Sequence, residues 1–228
     1  MIAGLLAGVA AWVGTPSVDD VQARVRALAK ARGTPMLAAK QVPTLLAQAV
    51  VATEDERFYE HHGIDGLGLL RAGLDDLRTG CLCEGGSTLT EQLVKEVYLN
   101  GSDRGRDKLV DVVMAFKVET VLDKEQIMAD WLTLAPTGPT SYGMQPSACL
   151  LFGQPLERLT LAQYALLAGL PQSPVLNDPL THPDSALRRR SQVLDAMAAH
   201  RFVSDAQLAV ARAEPLRPRV TIQSQVCG

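Results

Sequence analysis

The sequence predicts an all-α fold with one large core. Hydrophobic residues make up 47% of the 228 residues and aromatic residues only 4%, and Ala, Leu and Val dominate. This composition favours helices over a sandwich or barrel of short strands. Polar caps also recur three residues ahead of Glu, Gln or Asp, just before apolar runs, as they do at helix starts. Strand-like alternation is found at 219–223, which is either a short strand or a tail.

Each predicted helix start pairs a capping side chain with an acceptor or donor three positions later. The pairs are Ser17 with Asp20, Thr88 with Glu91, Asp123 with Gln126, Thr160 with Gln163, and Ser204 with Gln207. Apolar residues at spacings of three and four predict the buried faces. These are Leu67, Leu70, Leu74 and Leu77; Leu109, Val112, Val113 and Phe116; and Leu187, Leu194 and Met197. Gly and Pro clusters place loops at 80–86, 100–105, 135–143 and 171–183.

Charge and length exclude several classes of protein. With 22 Lys and Arg against 25 Asp and Glu, the net charge of −3 provides no basic field, so we expect no nucleic-acid partner. The apolar content excludes intrinsic disorder. We expect one domain at 15–215, followed by a C-terminal tail at 216–228.

The first fourteen residues are apolar and precede the first charged side chain, Asp19. A helix of this length spans about 21 Å against a hydrocarbon core of about 30 Å, so it is too short to cross a membrane alone. The absence of Lys and Arg before Arg24 argues against a signal peptide. We therefore expect a membrane-associated segment at 1–14, a truncated anchor, with a buried amino-terminal helix as the alternative.

The four cysteines match no zinc-binding pattern. Cys149 lies in the apolar run 148–152, which predicts a small buried hydrophobe. Cys81 and Cys83 could oxidise outside the cytoplasm, and the sequence leaves the pairing open.

Titratable side chains are concentrated at 54–65, directly after an apolar helix predicted at 45–52. The helix dipole and a hydrophobic setting would both raise the pKa of a carboxylate at that end. Glu54 is therefore a candidate general base, and the alternative is a solvated turn with surface charges. The helix start at Ser87 and Thr88 follows two glycines, an arrangement that favours anions such as phosphate but is common without any ligand.

Four segments carry motifs in a fixed order across roughly residues 35–200. The segments are Glu54-Asp55-x-x-Phe58-x-x-His61-x-Gly63-x-Asp65; Gly85-Gly86-Ser87-Thr88-Leu89-Thr90-Glu91-Gln92-Leu93 with Lys95; Trp131-Leu132, Gly138, Tyr142-Gly143 and Phe152-Gly153; and Leu170-Pro171-Gln172-x-Pro174 with Arg189-Arg190-x-x-Val193-Leu194-x-x-Met197. They resemble the first, second, fourth and fifth signatures of glycosyltransferase family 51, the peptidoglycan glycosyltransferases.

The third signature departs from the family pattern. The family has Arg-Lys-x-x-Glu where this chain has Asp107-Lys108-Leu109-Val110-Asp111. Lys108 and Asp111 are three residues apart, so on a helix they share a face. Arg104 or Arg106 could replace the lost arginine. Asn177 stands where Tyr is common, and Thr133 where Asn is common.

The resemblance implies a lysozyme-like glycosyltransferase fold, with two helical lobes around a cleft. It also implies polymerisation of lipid II onto a growing glycan strand, by inverting transfer with release of undecaprenyl pyrophosphate. Glu54 would be the base and Asp111 the second catalytic acid. The residues implied in substrate binding are Asp55, Phe58, His61, Ser87, Thr88, Thr90, Gln92, Lys95, Lys108 and Tyr142.

The same resemblance implies a setting for the reaction. A divalent cation, Mg²⁺ or Mn²⁺, would serve the pyrophosphate, although the sequence identifies no metal ligands. The domain would act at the inner (cytoplasmic) membrane, on its periplasmic or extracellular side, alongside other cell-wall synthesis proteins.

Two alternatives to a synthetic enzyme remain. Asp107 and Asp111 motivate a catalytically weak or inactive homologue that binds glycan or lipid II as a scaffold. A lysozyme-like hydrolase would also use an acidic pair in a cleft. The second and fifth signatures argue against hydrolysis.

Overall fold

The computed structural model describes residues 12–71, 86–99, 105–216 and 218, with backbone alone for 105–109. Within these ranges the regular structure is helical, apart from two isolated bridges, His62 to Ile64 and Pro136 to Tyr142. The α-helices are α1 (Val21–Arg32), α2 (Thr44–Glu54), α3 (Leu89–Tyr98), α4 (Gly105–Val121), α5 (Lys124–Leu134), α6 (Met144–Phe152), α7 (Leu161–Gly169), α8 (Pro183–Ala199) and α9 (Asp205–Ala213). Short 3₁₀ turns lie at Ala39–Gln41 and Leu156–Arg158. The all-α prediction is confirmed; the alternation at 219–223 lies outside the described residues.

Four predicted helix starts are confirmed by their hydrogen bonds. The caps Thr88, Thr160 and Ser204 accept from the amide three residues on, at 3.1, 3.2 and 3.3 Å. The Asp123 carboxylate accepts from the Gln126 amide at 2.8 Å. These caps are predictable because each depends on residues that are close in sequence.

The predicted start at Ser17 is wrong. The Ser17 hydroxyl accepts from the Asp19 amide at 3.2 Å, and α1 begins only at Val21. The hydroxyl closes a local turn two residues long, which competes with helix capping at the same residue type. The carbonyl of Asp20 then accepts the Arg24 amide at 3.0 Å.

The buried face of α4 differs from the predicted one. Phe116 is 38% exposed, whereas Met114, Ala115 and Val118 have no exposed surface. Asp111 is 1% exposed and belongs to the same stripe. The apolar pattern missed this stripe because its first member is charged.

The other predicted faces have mixed outcomes. Leu67 and Leu70 lie at helical positions but are 60% and 61% exposed, while Leu74 and Leu77 lie outside the described residues. On α8, Leu194 and Met197 are fully buried and Leu187 is half-buried, as expected. Helical spacing alone does not decide whether a face is covered.

The chain forms two compact units, which correspond to the two predicted lobes. The first unit comprises 1–27 and 57–127, and the second comprises 28–56 and 128–228. In the first unit α3 packs on α4. In the second, α2, α7 and α8 pack pairwise, and α9 packs on α7 and α8. The boundaries predicted at 14 and 215 stay predictions.

In the part of the chain that the structure describes, no helix is both long and apolar enough to cross a membrane. Of the predicted membrane-associated segment, 1–11 lies outside that part, and residues 12–14 are helical. Trp12 and Val13 are exposed, at 44% and 76%.

Cys149 corrects another expectation. It is half-buried on α6 and disulfide-bonded, rather than a buried free thiol. Its apolar sequence neighbours suggested burial because Ala148 and Leu151 are indeed buried, but Cys149 lies off that face. The other cysteines of the chain, Cys81, Cys83 and Cys227, lie outside the described residues.

Loss of this disulfide should destabilise the protein. We expect Cys149→Ser to lower the free energy of unfolding by about 2–4 kcal/mol, because the crosslink restricts the unfolded chain. Urea unfolding with and without reductant measures the effect. With reductant present, the wild type and Cys149→Ser should have the same stability. Equal stability of the oxidised wild type and the variant would contradict the expectation.

Candidate active site

Glu54 is the last residue of α2 in the second unit. Pro43 precedes the helix, and Asp55 ends it with φ −161° and ψ 77°. Leu46 and Val50 are fully buried and fix the rotation of the helix about its axis. The Glu54 side chain is 13% exposed. Burial and the helix dipole both disfavour a negative charge at this place, and a nearby cation offsets that cost.

Arg189 of α8 supplies that cation. Its Nη2 lies 3.4 Å from Oε1 of Glu54, and its Nε donates to the carbonyl of Gly169 at 3.3 Å. The Arg189 side chain is 12% exposed. Burial lowers the pKa of Arg189 from its ordinary value, and the Glu54 charge acts in the opposite direction. The pair therefore gives each buried charge a partner of opposite sign.

Asn177 completes the hydrogen bonding at the end of α7. Its Nδ2 donates to the Gly169 carbonyl at 3.2 Å, and its Oδ1 accepts from Ser185 Oγ at 3.3 Å. Asn177 is 6% exposed. The residue that replaces the family's usual tyrosine thus has a structural role beside Arg189.

The turn that follows Glu54 is partly buried, and its charged side chains Glu56, Glu60 and His62 are exposed. The alternative of a solvated turn is wrong for four of its side chains, Asp55, Phe58, His61 and Asp65, which are 7%, 0%, 7% and 8% exposed. In the first unit, Arg57 Nη1 lies 3.0 Å from Asp65 Oδ1. The Phe58 and His61 rings meet edge to face. The ammonium of Lys124 lies 4.5 Å from the centroid of the Phe58 ring.

Gly63 allows this turn to approach α4 closely. Its φ is +73°, and a Cβ built there would lie 2.7 Å from the Phe116 nitrogen and 2.9 Å from the Ala115 carbonyl carbon. The Gly63 carbonyl accepts from Thr88 Oγ1 at 2.6 Å. The glycine is therefore required both by its backbone angle and by the space available.

Gly63→Ala should destabilise the protein by about 1–3 kcal/mol, because the side chain strains a left-handed residue and meets the backbone of α4. Gly66→Ala is the matched control, since a Cβ there meets no described atom within 4 Å. Thermal or urea unfolding of both variants provides the measurement. Equal stability of the two alanine variants would show that the turn relaxes away from α4.

The start of α3 binds its own side chains. The Thr88 amide donates to Glu91 Oε2 at 2.8 Å, and the Glu91 amide donates to Thr88 Oγ1 at 3.1 Å. Thr88 and Glu91 are 2% and 0% exposed. Two of the amides at this predicted anion site are thus satisfied within the helix. Its role on the leaving-group side stays a prediction.

Thr90 joins a buried cluster that we call the Glu119 cluster, formed by Thr90, Glu119 and Lys124. The Thr90 hydroxyl donates to Glu119 Oε1 at 2.6 Å, and Lys124 Nζ lies 2.8 Å from the same oxygen. The Glu119 side chain is 6% exposed. Since Lys124 also lies over Phe58, the cluster connects the first and second signatures.

The remaining predicted substrate residues have different settings. Ser87, Gln92 and Lys95 are half-buried, and Lys108 lies on α4 within the part described by backbone alone. In the second unit, Tyr142 is half-buried and the Arg32 guanidinium lies 3.9 Å from its ring centroid. Substrate contacts for these residues stay predictions.

The described ranges contain no group of three or more His, Cys, Asp or Glu side chains arranged to hold a metal. The prediction of a divalent cation at the pyrophosphate is not tested by this finding, since substrate oxygens would supply ligands in the complex.

Comparison with known proteins decides the family. Residues 21–198 match the family described as Transglycosylase. The chain belongs to this transglycosylase family. The match spans both units and four signature segments, so the family resemblance predicted from sequence is confirmed.

This transglycosylase-family chain resembles both much longer proteins and a protein of similar length. It is 36% identical over 180 residues to penicillin-binding protein 1A of Vibrio cholerae, covering 79% of this chain and 22% of that protein. It is 35% identical over 176 residues to penicillin-binding protein 1A of Escherichia coli, covering 77% and 21%. A putative transglycosylase of Cupriavidus necator is 38% identical over 179 residues, covering 78% and 77%. The chain thus spans about a fifth of these penicillin-binding proteins.

Asp111 is the residue that the sequence resemblance assigns to the acidic position of the third signature. It lies on the buried stripe of α4 and is 1% exposed. The structure therefore gives Asp111 an enclosed setting, and its catalytic role stays a prediction.

Three residues that contact the predicted site residues were not predicted from the sequence. Arg189 was placed in the fifth signature without a role, and Glu119 and Lys124 were not singled out. Arg189 and Glu54 are 135 residues apart in sequence. The signal that pointed to Arg189 was the carboxylate at the end of an apolar helix, because a carboxylate buried there requires a cation from another element.

Proposed function

We propose that this chain is a peptidoglycan glycosyltransferase that polymerises lipid II into glycan strands. The observation that carries the proposal is Glu54, an ion-paired carboxylate at the end of α2, in a chain that belongs to the transglycosylase family. An ionised carboxylate with a fixed orientation meets the requirement for a general base.

In the proposed step, the 4-hydroxyl oxygen of the acceptor sugar forms a bond to the anomeric carbon of the growing strand. The bond between that carbon and the pyrophosphate oxygen breaks, and undecaprenyl pyrophosphate leaves with the electron pair. The proton of the hydroxyl passes to Glu54. A single displacement of this kind inverts the anomeric configuration.

The leaving group requires positive charge or amide donors. We assign this task to Lys108 and the start of α3 at Ser87, with a divalent cation as a further contributor. Asp111 would orient Lys108 or bind substrate. Asp55, His61, Gln92, Lys95 and Tyr142 are proposed to bind the sugar and phosphate groups.

We further propose that the protein acts at the inner membrane, with the catalytic domain on its outer side. Lipid II and undecaprenyl pyrophosphate both carry long lipid tails, so the reaction must take place at a bilayer. The exposed Trp12 is suited to the interface between lipid and water. Other cell-wall synthesis proteins would be its partners.

Incubation of detergent-solubilised protein with labelled lipid II tests the function directly. We expect glycan polymer to be detected by gel electrophoresis or chromatography. One undecaprenyl pyrophosphate should be released for each glycosidic bond formed. Release of free disaccharide from preformed glycan would support the hydrolase instead. Lipid II binding without polymer would support the scaffold.

The departure at the third signature separates a weak enzyme from a scaffold. By the sequence resemblance, Asp107 replaces an arginine with a negative charge, which would repel the pyrophosphate, and Asp111 is one methylene shorter than Glu. We expect slow polymerisation by the natural chain and acceleration by Asp107→Arg with Asp111→Glu, of up to about 10²-fold. Initial rates give the measurement, with thermal unfolding to detect strain at buried position 111.

Two outcomes would contradict this expectation. A natural chain as fast as relatives with the usual motif, with no gain in the double variant, would show that the departure is neutral. An absence of polymer from both forms, with lipid II binding retained, would favour the scaffold. Asp107→Arg alone is the matched control, because it changes the charge at position 107 and leaves the side-chain length at position 111 unchanged.

A further inference from the structure

Arg189 touches the ends of two helices of the second unit. Its guanidinium lies between the Glu54 carboxylate at the carboxyl end of α2 and the Gly169 carbonyl at the carboxyl end of α7. Both ends carry partial negative charge from the helix dipole. A cation at this place stabilises both helix ends and the carboxylate together.

Gly169 has no backbone reason to be glycine, because its φ lies outside the left-handed region. A Cβ built on it would lie 2.8 Å from Cγ of Arg189 and 3.6 Å from its Nε. The middle of the Arg189 side chain therefore occupies the space that any other residue at 169 would fill. The missing side chain explains how the arginine crosses the end of α7 to reach Glu54.

We propose that Arg189 is a positioning residue for Glu54, held in place by the absence of a side chain at Gly169. Arg189 keeps the carboxylate ionised and fixes the direction of Oε1 before substrate binds. This inference rests on the proposed function, in which Glu54 accepts the proton. Arg189 acts through Glu54 and is assigned no contact with substrate.

The ionisable groups around Glu54 have separate roles. Asp55 follows it in the chain and is buried, and Glu56 lies with one oxygen 3.4 Å from His200 Nε2. From α8, the guanidinium of Arg189 meets the Glu54 carboxylate. His200→Gln removes the imidazole that lies beside Glu56. It therefore serves as the control that shows whether a change in the pH profile comes from Glu56 rather than from Glu54.

The first experiment measures polymer formation against pH for the wild type, Arg189→Met, Arg189→Lys and Gly169→Ala. We expect Arg189→Met to lower kcat by about 10²-fold with little change in KM, because the base loses its alignment. The acid limb of the profile should move to higher pH, since a carboxylate without its cation takes up a proton more readily. Arg189→Lys should restore part of both effects.

Gly169→Ala tests the same contact without removing the guanidinium. It should shift the acid limb in the same direction, and it should add little when combined with Arg189→Met, because both changes act on one interaction. Additive effects of the two changes would overturn the role of Gly169. Arg188→Met is the matched control, since Arg188 is the exposed neighbour and should leave the profile unchanged.

The second experiment needs no turnover. Carbodiimide labelling of the Glu54 carboxyl across pH, read by mass spectrometry, reports its protonation in each variant. If the wild type makes no polymer but labelling moves to higher pH in Arg189→Met, the proposed function fails and the ionisation role of Arg189 stands. If the wild type makes polymer and neither the acid limb nor the labelling moves in a folded Arg189→Met or Gly169→Ala protein, the inference fails.

Discussion

Glu54→Gln should abolish glycan polymerisation while the protein stays folded. The amide has nearly the shape of the carboxylate but accepts no proton from the acceptor hydroxyl, and loss of a general base costs about 10²–10⁴ in rate. Lipid II polymerisation under initial-rate conditions measures the effect. The control for folding is thermal unfolding, which we expect to change only modestly.

The ion pair with Arg189 sharpens this test. In Glu54→Gln the guanidinium keeps the Gly169 carbonyl but loses its charged partner, so part of any stability change belongs to Arg189 rather than to catalysis. The double variant Glu54→Gln with Arg189→Met removes both charges and separates the two contributions. Polymerisation at close to the wild-type rate by a stable Glu54→Gln protein would show that the base lies elsewhere.

Phe58→Ala should cause the largest loss of stability, about 3–5 kcal/mol. The ring has no exposed surface, and it contacts Tyr59, His61 and Lys124. Removing it leaves a cavity beneath the turn that follows Glu54. Urea unfolding gives the measurement.

Two other variants distinguish packing from substrate contact. Tyr59→Ala is the matched control, because Tyr59 is 54% exposed and its loss should cost far less. Phe58→Leu retains most of the apolar volume, and we expect it to keep polymerisation if the residue acts through packing. A stable Phe58→Leu protein with a strongly raised KM would instead support the substrate contact predicted from sequence.

Local signals account for what could be predicted from the sequence. The caps at Thr88, Thr160 and Ser204 depend on residues three positions apart, and Glu54 follows directly from the end of an apolar helix. Family membership followed from the order of four motifs. Each of these depends on short stretches of chain, so no knowledge of packing was needed.

What could not be predicted depends on contacts between distant residues. The spacing of apolar residues on α4 is consistent with more than one buried face. Packing against the rest of the protein buries the face that contains Asp111. Glu54 lies on α2 and Arg189 on α8, and the sequence pattern does not predict that these two helices pack together. The helix start predicted at Ser17 was wrong for a different reason. The same hydroxyl can either close a turn or cap a helix, and here it closes a turn.

The Glu119 cluster has a consequence for protein engineering. Because one oxygen of Glu119 binds both Thr90 and Lys124, and Lys124 covers Phe58, two signature segments depend on side chains that neither segment contains. A chimaera that imports the first and second signatures from a relative must therefore import positions 119 and 124 as well. Exchanging the signatures alone would keep the ion pair between Glu119 and Lys124 but would set it against imported neighbours at positions 58 and 90.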